Sequence, residues 1–279
     1  LTNEPKREIP REMFDAFLDK ANDDIDITAA YATVLRVDLP EIDVWDFYRS
    51  GYLPQVMVNY LALLGWNPGG DIEQFGPDPL GFVRDHFSLD RVQKAHARFD
   101  RDKLSRFNAD ALAKMPFESF RSLLAQHCSM WHRRFVRALD SESSERFSLF
   151  AQAYQGRCRT LEEPFQLGRF FIQSDHEIQI DEQARDKVLL KNDADGLKVL
   201  AELKPKLERL EDWSPEAIHR LIQDHAQQTG RGMGKVAQPV RVAVSGSTVS
   251  PPIDLTLAIL DRESVIRRID HCLTQCSKG

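Results

Sequence analysis

The chain has 279 residues, 42% hydrophobic and 29% charged, with a net charge of −6, the make-up of a globular protein with room for two domains. No apolar run approaches the roughly 18 residues of a membrane helix, which excludes a helical membrane protein. The four cysteines, Cys128, Cys158, Cys272 and Cys276, include no CxxC pair and no histidine at zinc spacing, so neither a disulfide framework nor a metal site is expected, and the thiols are read as reduced in a cytoplasmic protein. Residues Leu1 to Pro10 are polar and hold no apolar signal core, and an opening on Leu rather than Met leads us to expect a piece of something longer.

Apolar residues recur at three- and four-residue intervals, which predicts an all-α fold. In chain order, Arg11 to Ala21 follows Pro10 and groups Met13, Phe14, Phe17 and Leu18, and a short helix is expected at Ile27 to Leu35. Pro54 then starts the most clearly marked helix (Val56, Met57, Tyr60, Leu61, Leu64), which stops at Gly65. Short helices are expected at Pro79 to His86 and Leu89 to Ala95, then longer ones at Asp102 to Lys114 (capped by Asp100 or Asp102), Phe117 to Ala138, Glu145 to Tyr154 and Leu161 to Ile172. The polar stretch Gln173 to Asp181 reads as a domain boundary. Beyond it the pattern predicts Asp181 to Leu190, Ala194 to Glu208, Pro215 to Gln228 behind the cap Ser214, Lys235 to Val244, and Ile253 to His271.

No catalytic constellation stands out. His127-Cys128 with His132 has the residue types of a Cys–His nucleophile pair, but helix filling accounts for them better. Gly230 to Lys235 lacks the spacing of a phosphate loop and follows no strand, so its glycines are read as allowing close backbone approach or shaping the next helix. Basic clusters are better supported. Arg98, Arg101, Lys103 and Arg106 surround Phe99 and Phe107, Arg133, Arg134 and Arg137 flank Phe135, and Arg157-Cys158-Arg159 lies between two helices. Such clusters attract phosphates while aromatic or guanidinium planes stack on unpaired bases, or else they form a solvated helix face. Between Asp224 and Asp254 there is no acid, and Arg231, Lys235 and Arg241 make a local cationic interval in an acidic chain.

The phrase Gly232-Met233-Gly234-Lys235-Val236-Ala237-Gln238-Pro239-Val240-Arg241, continuing to Gly246 and Ser250-Pro251, resembles the anticodon-binding end of bacterial glutamyl-tRNA synthetases. Gly51-Tyr52-Leu53-Pro54, Asn59-Tyr60-Leu61, Leu64-Gly65-Trp66, Phe87 to Val92, Arg98-Phe99-Asp100, Lys103-Leu104 and Asn108 are similar, in order, to the segment after that family's KMSK-type loop. Arg157-x-Arg159-Thr160-Leu161 and Arg169-Phe170-Phe171 are similar to its first anticodon-binding domain.

The resemblance implies a helical insertion at 1–38, a helical stem-contact segment at 39–100 and two helical anticodon-binding domains at 101–175 and 176–279. It implies anticodon contacts from Arg241, Ser250, Pro251 and Ile253, with Arg157 the better match and Arg159 its competitor for the last anticodon base. Arg98, Lys103 and Lys235 are then backbone contacts. The HIGH-type and KMSK-type motifs are absent from these residues, so ATP and Mg2+ are implied for the full enzyme and not for this segment. The expected protein is a cytoplasmic, monomeric glutamate-tRNA ligase acting on tRNA-Glu, with tRNA-Gln left open and no DNA or membrane partner. A stand-alone RNA-binding module and a helical scaffold without RNA affinity are the alternatives.

Overall fold

The computed structural model describes residues 41, 43–93, 98–141 and 143–276. The expected helices at Arg11 to Ala21 and Ile27 to Leu35, the 1–38 insertion and His96 lie outside them. The chain divides into two units, Leu1–Phe47 and Tyr48–Gly279. In the first, Asp43 and Asp46 close a reciprocal capping box (Asp46 N to Asp43 Oδ1 2.8 Å, Asp43 N to Asp46 Oδ2 3.2 Å) at the start of α1, Val44–Arg49.

The second unit is all-α among its described residues, with one isolated bridge and no sheet. Helix α2 (Pro54–Gly65) buries Val56, Asn59 and Tyr60, and α3 (Pro79–His86) is capped by Asp78. Helix α4 (Arg101–Lys114) is capped by Asp100, whose carboxylate accepts from Lys103 N. The helix expected at Leu89 to Ala95 is instead one 3-10 turn, Leu89–Arg91. Val92 pairs with Trp66 as an antiparallel bridge, and Gln93 N donates to Gly65 O at 2.9 Å, so the extended strip that seals the end of α2 takes the backbone groups a helix would have used.

Three other expected helices are broken, two where a side chain or carbonyl finds a tertiary partner and one at a glycine. The Phe117 to Ala138 helix divides into α5 (Phe117–Trp131) and α6 (Arg133–Ala138) at His132, which leaves helical geometry (φ −126°, ψ 50°) as its ring turns to Glu162. Leu161 to Ile172 becomes α8 (Glu163–Leu167) and a 3-10 turn, Arg169–Ile172, after α7 (Glu145–Tyr154). The break is at Gly168, where an added Cβ would lie 3.0 Å from both Phe150 and Tyr154. There the chain bends to bury Phe170 and Phe171 beside Phe135, Phe147, Phe150 and Phe165.

After α9 (Glu182–Ala184), which runs into a π-helical turn at Arg185–Leu189, come α10 (Lys191–Glu208), α11 (Pro215–Gln228) and α12 (Met233–Ser245). Regular geometry in α10 begins only beyond Ala194, because Asn192, Asp193 and Ala194 are left-handed. Ile253 to His271 divides into α13 (Ile253–Leu260) and α14 (Arg262–Cys276) at Asp261, φ 67°. Arg146 occupies the Ile259 carbonyl at 2.9 and 2.8 Å, removing it from the helical ladder, and Asp261 recaps the chain by accepting from Ser264 N at 2.8 Å.

Residues on both sides of the Gln173 to Asp181 stretch are tied to one another. Arg268 of α14 donates to the carbonyls of Phe170, Gln173 and Val244 and to Asp175, and Asp181 N donates to Gly246 O at 2.9 Å. Gly246 ends α12 in the left-handed region (φ 77°), and a Cβ there would stand 2.2 Å from the Gln179 carbonyl oxygen. Gly246→Ala is therefore expected to cost more than about 2 kcal/mol, the left-handed penalty plus a backbone clash that no side-chain rotation relieves. A urea midpoint within error of the parent protein would show that the close approach is not maintained.

Candidate nucleic-acid interface

The loop carrying Arg157 and Arg159 is placed by the N-terminal part of this unit. Leu161 N donates to Gly51 O at 3.0 Å, and buried Asn108 receives Leu53 N on Oδ1 at 2.8 Å while its Nδ2 donates to Arg159 O at 2.7 Å. Gly51 is required there: it is left-handed (φ 79°), and a Cβ would meet Leu161 N at 2.6 Å. Thus the Gly51-to-Pro54 phrase and Asn108 hold the loop in position.

The two arginines of that loop differ. Arg159 is fastened to Glu163, Nη2 to Oε1 at 2.6 Å with its own N–H on Oε2, and the hydrogen bond to that carboxylate raises its guanidinium pKa. Arg157 is exposed, has no partner among the described residues, and lines an open groove of about 490 Å³ with Arg169, Gln166, Leu167, Val249, Ser250 and Pro251. Arg157 and Ser250 are 93 positions apart in sequence, and packing brings them to one cleft. Leu167 (60% exposed) and Val249 (77%) supply accessible apolar surface to it.

Arg241 stands behind this cleft on α12. Its Nε donates to Ser250 Oγ at 2.9 Å, and Ser250 Oγ in turn donates to Pro251 O at 2.9 Å, so the serine fixes both the guanidinium and the loop. Arg241 is half-buried with no carboxylate partner among the described residues, and burial alone pulls its pKa below the ordinary arginine value. A cation desolvated without a counter-charge gains more than an exposed one when an anion or acceptor-rich edge arrives. Pro251 is buried, and Ile253, 6% exposed, belongs to the core rather than to an accessible surface.

The glycine phrase itself is helix punctuation. Gly230 (φ 65°) and Arg231 close α11 as a Schellman motif, with Arg231 N on Ala226 O at 3.0 Å and Gly230 N on Gln227 O at 3.2 Å, and Gly232 is the N-cap of α12. Arg231 is neutralised by Asp195 (2.8 Å) and Glu202 (2.7 Å), so the cationic interval read from the sequence reduces to Arg241 and the exposed Lys235. Of the other backbone candidates, Arg98 is exposed without a partner among the described residues, and Lys103 is held by Glu73 at 2.6 Å.

The anticodon binding domain family matches residues 119–273. The chain belongs to that family. It is 34% identical over 232 residues to glutamate-tRNA ligase 1 of Alkalilimnicola ehrlichii, a match over 83% of this chain and 46% of the relative. It is also similar to the crystal structure of a glutamate tRNA ligase from Elizabethkingia meningosepticum in complex with its amino acid (TM-score 0.66, 25% identity, 82% of this chain and 42% of that one). A glutamate-tRNA synthetase from Elizabethkingia anophelis matches with TM-score 0.65 and 25% identity over the same shares. The chain spans a little under half the length of these relatives.

Within the anticodon binding domain, a second groove of about 740 Å³ is lined by Arg133, Arg134, Arg169, His132, Glu162 and Phe165, and shares Gln166, Arg169 and Gln173 with the first. Arg133, Arg134 and Arg169 are exposed and have no partner among the described residues. Phe135, read from the sequence as flanked by these arginines, is 3% exposed and packs in the core, so it offers no stacking face. Arg169 drew attention only as part of a resemblance. Its position between two grooves depends on the bend at Gly168, which the helical periodicity of Leu161 to Ile172 conceals.

The Cys128–His132 pair is not a nucleophile and base. Cys128 is fully buried with its Sγ toward the His132 carbonyl at 3.7 Å, and both His132 Nε2 (2.7 Å) and His127 Nε2 (3.0 Å) meet Glu162 Oε2. Burial would raise the Glu162 carboxyl, but the hydrogen bonds and charge of the two histidines outweigh it and hold the pKa at about 2.

Proposed function

We propose that this chain is the tRNA-recognition part of a cytoplasmic, monomeric glutamate-tRNA ligase, with tRNA-Glu as its partner and glutamate attachment carried out by the rest of that protein. One observation carries the reading: in a chain of the anticodon-binding family, Arg157 and Arg169, unpaired among the described residues, share a single cleft with the Ser250-Pro251 loop that orients Arg241. Single-stranded loops are read by splayed bases laid against flat or apolar side chains and hydrogen-bonded at their edges. Here Arg241 is the oriented donor, Leu167 and Val249 are the apolar surface, and Arg157, Arg169, Arg133 and Arg134 attract phosphates. Arg157 is favoured over Arg159, whose guanidinium is already committed to Glu163. Lys235, Arg98 and Lys103 extend the phosphate contacts, Lys103 at the cost of its pairing with Glu73.

ATP and Mg2+ would belong to the rest of that protein: Gly230 and Gly232 close α11 and start α12, and the arginine between them is taken by Asp195 and Glu202. No helix of the described residues is long and apolar enough to cross a membrane. The test is filter binding with transcribed tRNA-Glu and an anticodon-substituted transcript at low and moderate salt. Tighter binding of tRNA-Glu at both salts is expected. Equal affinity for the two transcripts would overturn specific recognition, and no affinity at either salt would leave a helical scaffold.

A further inference from the structure

We infer that His127, His132 and Glu162 form a binding site for one divalent transition-metal ion, best suited to Zn2+, a role separate from reading RNA. His127 lies on the third turn of α5, His132 at the break between α5 and α6, and Glu162 at the start of α8. Both Nε2 atoms converge on the same oxygen of Glu162, at 3.0 and 2.7 Å, and the three donor atoms lie within 4.8 Å of one another. Two imidazoles and a carboxylate are the donor set of an open zinc site, and imidazole favours zinc, copper and nickel over magnesium or calcium.

Two of the three donor pairs already stand near the separation a metal requires, and the two imidazole nitrogens lie within 4.8 Å of each other. Metal–ligand bonds of about 2.0–2.1 Å in a tetrahedron set donor atoms about 3.3 Å apart. Reaching that separation needs the present 2.7 and 3.0 Å contacts to open by a few tenths of an ångström. The rings are already held in place: His132 stacks on Phe165 at 4.3 Å between centroids and 14° between planes, and His127 lies 5.9 Å from the same ring at 23°.

The His127 side chain is 4% exposed, whereas those of His132 and Glu162 are 21% and 20% exposed, and both line the groove that also holds Arg133, Arg134 and Arg169. Three protein donors fill one side of the ion and water takes the remaining position on the groove side.

Proton bookkeeping is simple. Each Nε2 now presents its hydrogen to Glu162 and must present a lone pair to the metal. A neutral imidazole moves that proton to Nδ1 and an imidazolium releases it to solvent. Because the donors are 35 positions apart in sequence and meet only in the folded chain, the ion binds the native state and raises its stability.

The test uses the untagged 279-residue protein, stripped with chelator and titrated with CoCl2 and then ZnCl2. We expect one Co2+ per chain, a visible d–d band of a four- or five-coordinate ion without thiolate-to-metal charge transfer, bleaching of that band by one equivalent of Zn2+, and a higher melting temperature in the metal form. Glu162→Gln and His132→Asn are each expected to weaken Co2+ binding by about 100-fold or more. No Co2+ band in the wild-type protein at excess metal would overturn the site, as would a thiolate band, which places the metal on cysteine. Unchanged affinity in both variants would do the same. X-ray absorption on the wild-type zinc form supplies a measurement that needs no variant to fold: imidazole and oxygen scattering supports the site, and sulfur scattering refutes it.

Discussion

Arg268→Met is expected to lower folding stability by about 3–5 kcal/mol, the range for breaking a buried charged network by removing one partner. Arg268 is 2% exposed. Its Nε donates to Asp175 Oδ1 at 2.8 Å, Nη1 to Phe170 O at 3.0 Å and Val244 O at 2.8 Å, and Nη2 to Gln173 O at 2.9 Å. Burial holds its pKa below the ordinary arginine value, and the hydrogen bond to Asp175 offsets only part of that fall. Methionine fills a similar volume but leaves three carbonyls without their donor, and buried acceptors deprived of a partner cost about 1–3 kcal/mol each before relaxation. Asp175 keeps Arg267, 2.6 Å away, which is why the loss is not larger. Arg268→Lys should fall between parent and Met variant, since an ammonium keeps the charge but cannot span four acceptors on several segments. Urea denaturation measures both. A Met variant within about 1 kcal/mol of the parent would mean that the guanidinium is not the fastening between α14, α12 and the Phe170-to-Asp175 segment.

The second large effect is on recognition. Arg241→Ala is expected to reduce discrimination between tRNA-Glu and an anticodon-substituted transcript by about 1–3 kcal/mol, or roughly 5- to 150-fold in relative affinity. The argument rests on position more than charge. Ser250 Oγ fixes the guanidinium, no carboxylate competes for it among the described residues, and Ser250 itself lines the cleft that Arg157 shares. Arg133→Ala should behave differently. An exposed arginine on the groove wall contributes phosphate attraction, so its loss should weaken all tRNAs alike and flatten the salt dependence by about one charge. Filter binding at two salt concentrations separates the cases. If Arg241→Ala loses affinity equally for every transcript, Arg241 is a phosphate anchor and specificity lies elsewhere in the groove.

Much of the architecture was legible in sequence because local chemistry marks it. Pro54 and Gly65, Pro79, and Ser214 with Pro215 bound helices whose observed limits, Pro54–Gly65, Pro79–His86 and Pro215–Gln228, follow from caps and proline geometry within a few residues. Four of the expected helices changed beside partners remote in sequence: Trp66 for Val92, Glu162 for His132, Phe150 and Tyr154 for Gly168, and Arg146 for the Ile259 carbonyl. Apolar periodicity is continuous across each break; Gly168 is a local stop signal, but at the other three nothing local announces the tertiary bond.

The same division runs through the interface. By itself the sequence determined an all-α chain, its family phrase from Gly232 to Pro251, and the residue types proposed to meet RNA, because caps, periods and motifs are properties of neighbouring residues. Only the tertiary structure decided which arginines are available. Arg159 and Arg231 are spent on Glu163, Asp195 and Glu202, while Arg157 and Arg169 are unpaired among the described residues in one cleft with Ser250, and Ile253 is withdrawn into the core. Charge in a sequence counts every cation equally. Folding sets each one beside an acid, beneath apolar neighbours or at an open groove, and that placement separates a structural arginine from one free to meet RNA.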